Sequence, residues 1–337
     1  MIASVSLFGL IHRFLDYLMG ICKLVQNREV GWRMLDRKTG RLLHEQQPLW
    51  WKIKLLLLFN PLTEWINNTE ARRSRLRRKT LDFGITERTP LSAAKIRSFV
   101  DFYHIDMDEF EPANIEAYPT FEDFFVRKHK PGTRHICAPD DPSMAVTVAD
   151  SRVVVYDTVA ISHSIWIKGK HFTIANLIME STLAEKWAEG AVASFRLCVQ
   201  DYHRYHSPVA GVVAWWKHIP GEYYNVDPVA LRSGVDIVSK NARSCVCISS
   251  PEFGEVLFVA VGATGVGSIK FHEKFCKEGS SVDKGEEIGW FEFGGSSILV
   301  VFEAGRIRFD HDLIRASEQA VAVNVEVGMS LGLARRP

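Results

Sequence analysis

Apolar positions recur at helical spacing in the first third of the chain and at strand spacing in the remainder. Leu7, Leu10, Ile11, Phe14, Leu18 and Ile21 lie three or four apart, with Arg13 and Asp16 off the stripe, which predicts an amphipathic helix. A second stripe over Leu49–Ile66 opens on the paired Trp50 and Trp51, with Lys52 and Lys54 beside them. Arg13, Asp16 and Lys23 interrupt the first stripe before the roughly 18 uncharged residues of a membrane span accumulate. No basic start precedes it and no small-residue cleavage site follows, so a signal peptide is not expected. Thr89-Pro90-Leu91-Ser92 and Thr120-Phe121-Glu122-Asp123 read as two further helix starts. The turns Lys130-Pro131-Gly132-Thr133 and Ala138-Pro139-Asp140-Asp141-Pro142 then break the chain.

From about Val146 onward, short β-branched and aromatic runs alternate with Gly, Pro, Asp and Ser: RVVVYDTVA, SIWIKG, GVVAWWKHI, SCVCIS, GEVLFVAVGA, SILVVFEAG and RIRFD. One helix is expected between Ile174 and Glu189. The fold class is therefore α+β, with a mostly helical, possible membrane-associating region over residues 1–135 and a β-rich, predominantly antiparallel domain over 136–337. The segments Ser207–Val213 and Lys277–Gly289 resemble the two halves of biotinyl or lipoyl carrier folds, which predicts barrel-like elements. A carrier role is not expected, because no Met-Lys-Met or Asp-Lys-Ala tip occurs.

Charge changes this picture little. Basic and acidic residues number 41 and 40, so nothing draws the chain toward nucleic acid. The local run from Arg72 to Lys79 reads either as a solvated helix face or as a contact with an anionic membrane, and with the two amphipathic stripes, the second of them tryptophan-rich, it points to peripheral membrane contact. Six cysteines show no disulfide rhythm, and Cys245 and Cys247 are spaced for one face of a strand rather than for zinc. An intracellular, reducing setting follows. No Asp-x-Asp-x-Asp-Gly loop for calcium is present.

Three places carry candidate chemistry. In Phe293-Gly294-Gly295-Ser296-Ser297, glycine permits a strained backbone in which the Ser296 hydroxyl reaches the preceding carbonyl carbon. Attack would give an N-to-O acyl shift, an ester, β-elimination to dehydroalanine and, on hydrolysis, a pyruvoyl group. The same residues also make an ordinary hairpin turn. In Asp201-Tyr202-His203-Arg204-Tyr205-His206, two histidines three apart suit proton transfer, though a polar loop or a two-histidine metal pair reads equally from the letters; no third ligand is evident. Asp150, in Val148-Ala149-Asp150-Ser151-Arg152, is a carboxylate where the helical half hands over to the β half.

Taken in order, TFEDFFVRKHKPGTR (Thr120–Arg134), VADSR, WIKGKHFTI (Trp166–Ile174), DYHRYHSPVAG, VGATGVGSI (Val261–Ile269) and FGGSS resemble the phosphatidylserine decarboxylase family in its eukaryotic branch, over roughly residues 28–333. The resemblance implies a proenzyme that cuts itself between Gly295 and Ser296 into a β chain 1–295 and an α chain 296–337. It implies a Ser-His-Asp constellation of Ser296, His206 and Asp150, with His206 taking the hydroxyl proton and Asp150 orienting the imidazole. It assigns His203 to the decarboxylation step, and it implies a covalent pyruvoyl group derived from Ser296 as electron sink, with no metal. The expected substrate is phosphatidylserine at a membrane surface; the alternative is a free, for instance aromatic, amino acid handled by the same machinery in the cytosol. The motif reads Ser296-Ser297 where many members have Ser-Thr, and Lys270–Cys276 is bulkier and more charged than the family pattern suggests.

Overall fold

A computed structural model describes residues 14, 33–44, 85–159, 173–222, 237–263, 269–292 and 296–335. The two amphipathic stripes (Phe14 apart), the basic run and the SIWIKG strand lie outside the described residues.

Most of the β-branched runs of the second half join one ten-stranded sheet, which also takes in Arg33–Asp36 and Leu42–His44, while Ile307–Phe309 pairs with Ser330–Ala334 in a separate three-stranded sheet. The ten strands run in the spatial order Ser281–Val282, Gly211–Ile219, Arg243–Ser250, Gly254–Val261, Ser296–Phe302, Ala191–Leu197, Ser151–Tyr156, Ala322–Val325, Arg33–Asp36, Leu42–His44. Every pairing is antiparallel except that of Arg33–Asp36 with Ala322–Val325. The middle strands read as near-continuous apolar runs because both faces are covered: Val256–Val261 and Ile298–Phe302 are buried throughout. Each such Val, Leu, Ile or Phe contributes roughly 1.5–3 kcal/mol by leaving water, so these strands anchor whatever their ends carry.

The six expected strand runs that fall within the described residues are all strands. The Ile174–Glu189 helix is instead broken into Ile174–Ile178, Ser181–Ala184 and a 3-10 turn Glu185–Trp187, because Met179 takes a left-handed φ of 54° and ends the first piece. Thr120 caps the helix Phe121–Phe125 as its sequence suggests, accepting from the Asp123 N–H at 3.1 Å. Pro90 opens a 3-10 helix, Pro90–Lys95, that runs into the helix Ile96–Tyr103.

The segments likened to carrier halves do lie together. Val212 pairs with Ser281, and the Ser207 N–H donates to the Glu286 carbonyl at 2.8 Å. They do not close on themselves among the described residues: Gly211–Ile219 continues into the large open sheet, while Arg204–His206 pairs with Glu287–Phe291 in a separate three-stranded sheet with Ile269–Phe271.

The registers bring three chain segments to one end of the large sheet. Ser151–Tyr156 and Ala191–Leu197 run antiparallel with Arg152 opposite Arg196, and Ser296–Phe302 runs antiparallel to Ala191–Leu197 with Ser296 opposite Leu197. The residues just before Ser151, those just after Leu197 and Ser296 itself therefore share that end.

Candidate active site

The segment Cys198–His203 leaves the sheet at that end and is tied down by buried groups. The Asp201 carboxylate takes the Cys198 N–H at 2.6 Å and pairs with the Arg152 guanidinium. Arg127, wholly buried, donates to the Gln200 carbonyl at 2.8 Å and lies over the rings of Phe110 and Phe124 at 4.4 and 4.7 Å. Burial pulls its pKa down to about 10, so it remains charged.

His203 is fully buried. Its Nδ1 lies 2.9 Å from the Asp201 carbonyl, which assigns the proton of the neutral ring to Nδ1, and its ring packs 3.9 Å from that of Phe125. Its carbonyl accepts from the Phe291 N–H at 2.9 Å. Four residues separate Phe291 from Ser296, and Ser296 lies opposite Leu197, so Cys198–His203 and Glu292–Gly295 join the same two places in the fold. This puts the His203 backbone beside the entrance to the Gly-Gly-Ser motif. Gly294, Gly295 and the Ser296 side chain are outside the described residues.

His206 is three residues further along, opposite Glu287. Its Nδ1 donates to the Gly285 carbonyl at 2.9 Å, leaving Nε2 to accept from the Tyr202 hydroxyl at 3.2 Å. Burial lowers its pKa from the ordinary 6.5, opposed by the Gly285 hydrogen bond and by the charges of Glu287 and Asp150. A neutral imidazole results, the form that accepts a proton.

Asp150, one residue ahead of the Ser151 strand, is held from three sides. Arg134 donates through Nη2 at 2.7 Å and Nε at 3.1 Å to one oxygen, His129 Nε2 lies 3.2 Å from the same oxygen, and the Val327 N–H reaches the other at 2.8 Å. Burial alone would raise its pKa; the hydrogen bonds and charges of His129 and Arg134 outweigh that and hold the carboxyl well below the usual carboxylate range.

The direct Asp150–His206 bond expected from the sequence is not among these contacts. The segment Lys128–Arg134 brings His129 and Arg134 onto the carboxylate, while Tyr202 stands between the two sites, its ring 4.1 Å from that of His129 and 5.9 Å from that of His206. A cavity of about 300 Å³ is bounded by His129, Arg134, Tyr202, His206, Gly285 and Glu287, among others. His129, Arg134 and Tyr202 escaped assignment from the sequence, although all three lie inside motifs that carry the family resemblance. Only the folded chain reveals that they meet Asp150 and His206.

Among protein families, the model described as phosphatidylserine decarboxylase matches residues 121–333. The phosphatidylserine decarboxylase proenzyme 3 of Schizosaccharomyces pombe is 36% identical over 297 residues, covering 88% of this chain and 30% of that protein. The proenzyme 2 of Oryza sativa is 41% identical over 251 residues, covering 74% and 40%. The proenzyme of Chlamydia trachomatis serovar L2 is 38% identical over 249 residues, covering 74% of this chain and 81% of the relative. The chain thus spans less than half of the eukaryotic relatives and most of the bacterial one.

Proposed function

The chain belongs to the phosphatidylserine decarboxylase family, a family of carboxy-lyases whose members are made as proenzymes, and on that premise we propose that it cuts itself between Gly295 and Ser296 and then decarboxylates phosphatidylserine. The observation that carries the reading is the meeting of Asp150, the start of the Cys198–His203 segment and Ser296 at one end of a single sheet, with His206 following in the adjoining three-stranded sheet. Nothing in their sequence separation requires this.

In the proposed cut, the Ser296 hydroxyl oxygen attacks the Gly295 carbonyl carbon as His206, neutral through burial, takes the hydroxyl proton. Return of that proton to the Ser296 nitrogen breaks the peptide bond and leaves an ester. Loss of the Ser296 α-proton then expels the Gly295 carboxylate, completing the 1–295 fragment. The charge of Asp150 favours protonated His206 from across Tyr202.

The residues at hand fit a pyruvoyl group at position 296: the position opens a buried strand paired with Leu197, and the fully buried His203 is bonded through its carbonyl to Phe291, at the head of the segment that leads to it. When present, that group supplies an electron sink for a departing carboxylate. His203, with Nδ1 committed to the Asp201 carbonyl, exchanges protons through Nε2 and is the proposed donor to the substrate carbon once carbon dioxide has left. Residues 1–135 are proposed to bring this site to a membrane surface.

Intact mass measurement tests the reading. Wild type is expected as fragments 1–295 and 296–337, the smaller one lacking the serine amine, with carbon dioxide released from phosphatidylserine. Ser296→Ala is expected to stay whole and inactive. A wild-type chain that remains intact at neutral pH overturns the proposal.

A further inference from the structure

An ion-pair network links the helical segment ahead of the catalytic domain to the approach of the proposed cleavage bond. Arg88 lies between two carboxylates: its Nε donates to Glu122 Oε1 at 3.1 Å and its Nη2 to Glu292 Oε2 at 2.6 Å. Lys270 Nζ stands 3.7 Å from the other Glu292 oxygen. The guanidinium is half exposed, whereas the two carboxylate side chains are only 12% and 14% exposed. Burial raises the pKa of Glu122, partly offset by Arg88, while the two acids together raise that of Arg88. Arg88 therefore bridges two largely buried anions that would otherwise repel each other, with Lys270 as a second cation beside Glu292.

What makes this more than a surface contact is the place of Glu292 in the chain. It stands three residues ahead of Gly295, directly after Phe291, whose N–H is fixed on the His203 carbonyl. On the far side, Ser296 is fixed opposite Leu197 and Ser297 between Arg196 and Val261. Backbone pairing thus fixes both flanks of the Gly-Gly-Ser motif, and the Arg88 contact fixes the side chain on the upstream flank. An intramolecular attack depends steeply on the starting geometry of nucleophile and carbonyl, with a misplacement of about 1 Å costing on the order of a hundredfold.

We infer that Arg88, acting through Glu292, is a positioning residue for self-cleavage. It touches none of the reacting atoms. It holds the upstream flank so that the Gly295 carbonyl meets the Ser296 hydroxyl. The inference rests on the self-cleavage proposed above, and it gives the Arg88 and Phe121–Phe125 region a task in maturation.

The test follows conversion of freshly translated full-length chain to 1–295 and 296–337 by mass and gel, at low and high salt. Arg88→Met and the isosteric Glu292→Gln are each expected to slow cutting by roughly tenfold to a hundredfold. Arg88→Lys is expected to recover most of the rate, since a point charge can still meet Glu292 although the two-pronged geometry is lost. Wild-type cutting should slow as salt screens this part-exposed pair, and Glu292→Gln should lose that dependence. Wild-type speed in Glu292→Gln overturns the inference, as does Arg88→Lys cutting no faster than Arg88→Met, which would leave Arg88 a packing role only. Failure of the wild-type chain to cut is a separate result and counts against self-cleavage itself.

Discussion

At the scale of single residues, the site separates two histidines that look alike in the sequence. Both direct Nδ1 at a backbone carbonyl, His203 at Asp201 and His206 at Gly285. Their backbones differ in place: His203 stands against Phe291, near the Gly-Gly-Ser motif, and His206 against Glu287, beside the cavity. A pH dependence follows for the proposed base. The folded His206 pKa lies below the ordinary 6.5, so the neutral form persists to lower pH than in an unfolded chain. Any stability from keeping it neutral is complete above about pH 6.5 and is lost as pH falls through the depressed value. Asp150 stays ionised across this range, because its own pKa is held far lower. The rate of self-cleavage should therefore rise with pH along a limb whose midpoint is below about 6.5, and be flat from about 7 upward. His206→Ala should cut slowly and lack that limb. A wild-type rate still climbing between pH 7 and 8 would point to a different base.

At the scale of elements, strands were legible and their partners were not. Valine-rich runs declare themselves locally through β-branching, and the runs at Gly211–Ile219 and Gly254–Val261 fold as read. Pairing is set by distant chain, so nothing local announces that Arg33–Asp36 joins the sheet edge beside Ala322–Val325, or that Arg37 anchors that hairpin on Asp310 and Asp312. The helix at Ile174 was read too long because one left-handed residue, Met179, ends it without a glycine to mark the stop. The site divides in the same way. Asp150, His203, His206 and Ser296 were visible as motif residues, whereas the grip of Arg134 and His129 on Asp150 exists only through tertiary contact. Strand placement also bears on the products of the proposed cut. Ser296–Phe302 lies between Gly254–Val261 and Ala191–Leu197, and Ala322–Val325 pairs with Ser151–Tyr156, so the 296–337 fragment supplies two strands to the common sheet. With Ile298, Val300, Val301 and Phe302 fully buried, cutting should not release it. The two fragments are expected to co-elute in native gel filtration and to separate only in denaturant. Dissociation in plain buffer would mean that cutting reorganises the sheet.

At the scale of the whole molecule, the proposed lipid substrate has to meet the site at an interface. Among the described residues no helix is long and apolar enough to cross a membrane. The stretches that the sequence offers for membrane contact, Trp50-Trp51 and the Arg72–Lys79 run, lie outside the described residues. A diacyl lipid cannot leave the bilayer cheaply, because each CH₂ exposed to water costs about 0.8 kcal/mol. An enzyme acting on phosphatidylserine must therefore reach its head group at the interface. Apolar aromatic stripes flanked by basic residues suit such a contact, the stripes entering the interface and the cations meeting anionic lipid, at about 1 kcal/mol per Lys or Arg near the surface. The deciding comparison is carbon dioxide release by fully cut enzyme from phosphatidylserine vesicles against free serine, tyrosine and tryptophan. The lipid should be the better substrate, and the protein should float with anionic vesicles and less so with neutral ones. Deleting residues 1–66 removes both stripes and the Arg33–Leu43 hairpin; it should weaken flotation more than self-cleavage, because Asp150, His206 and Ser296 are all held by sheet and cavity contacts beyond the deleted stretch. Faster turnover of a free amino acid together with no vesicle binding would transfer the same machinery to a soluble substrate.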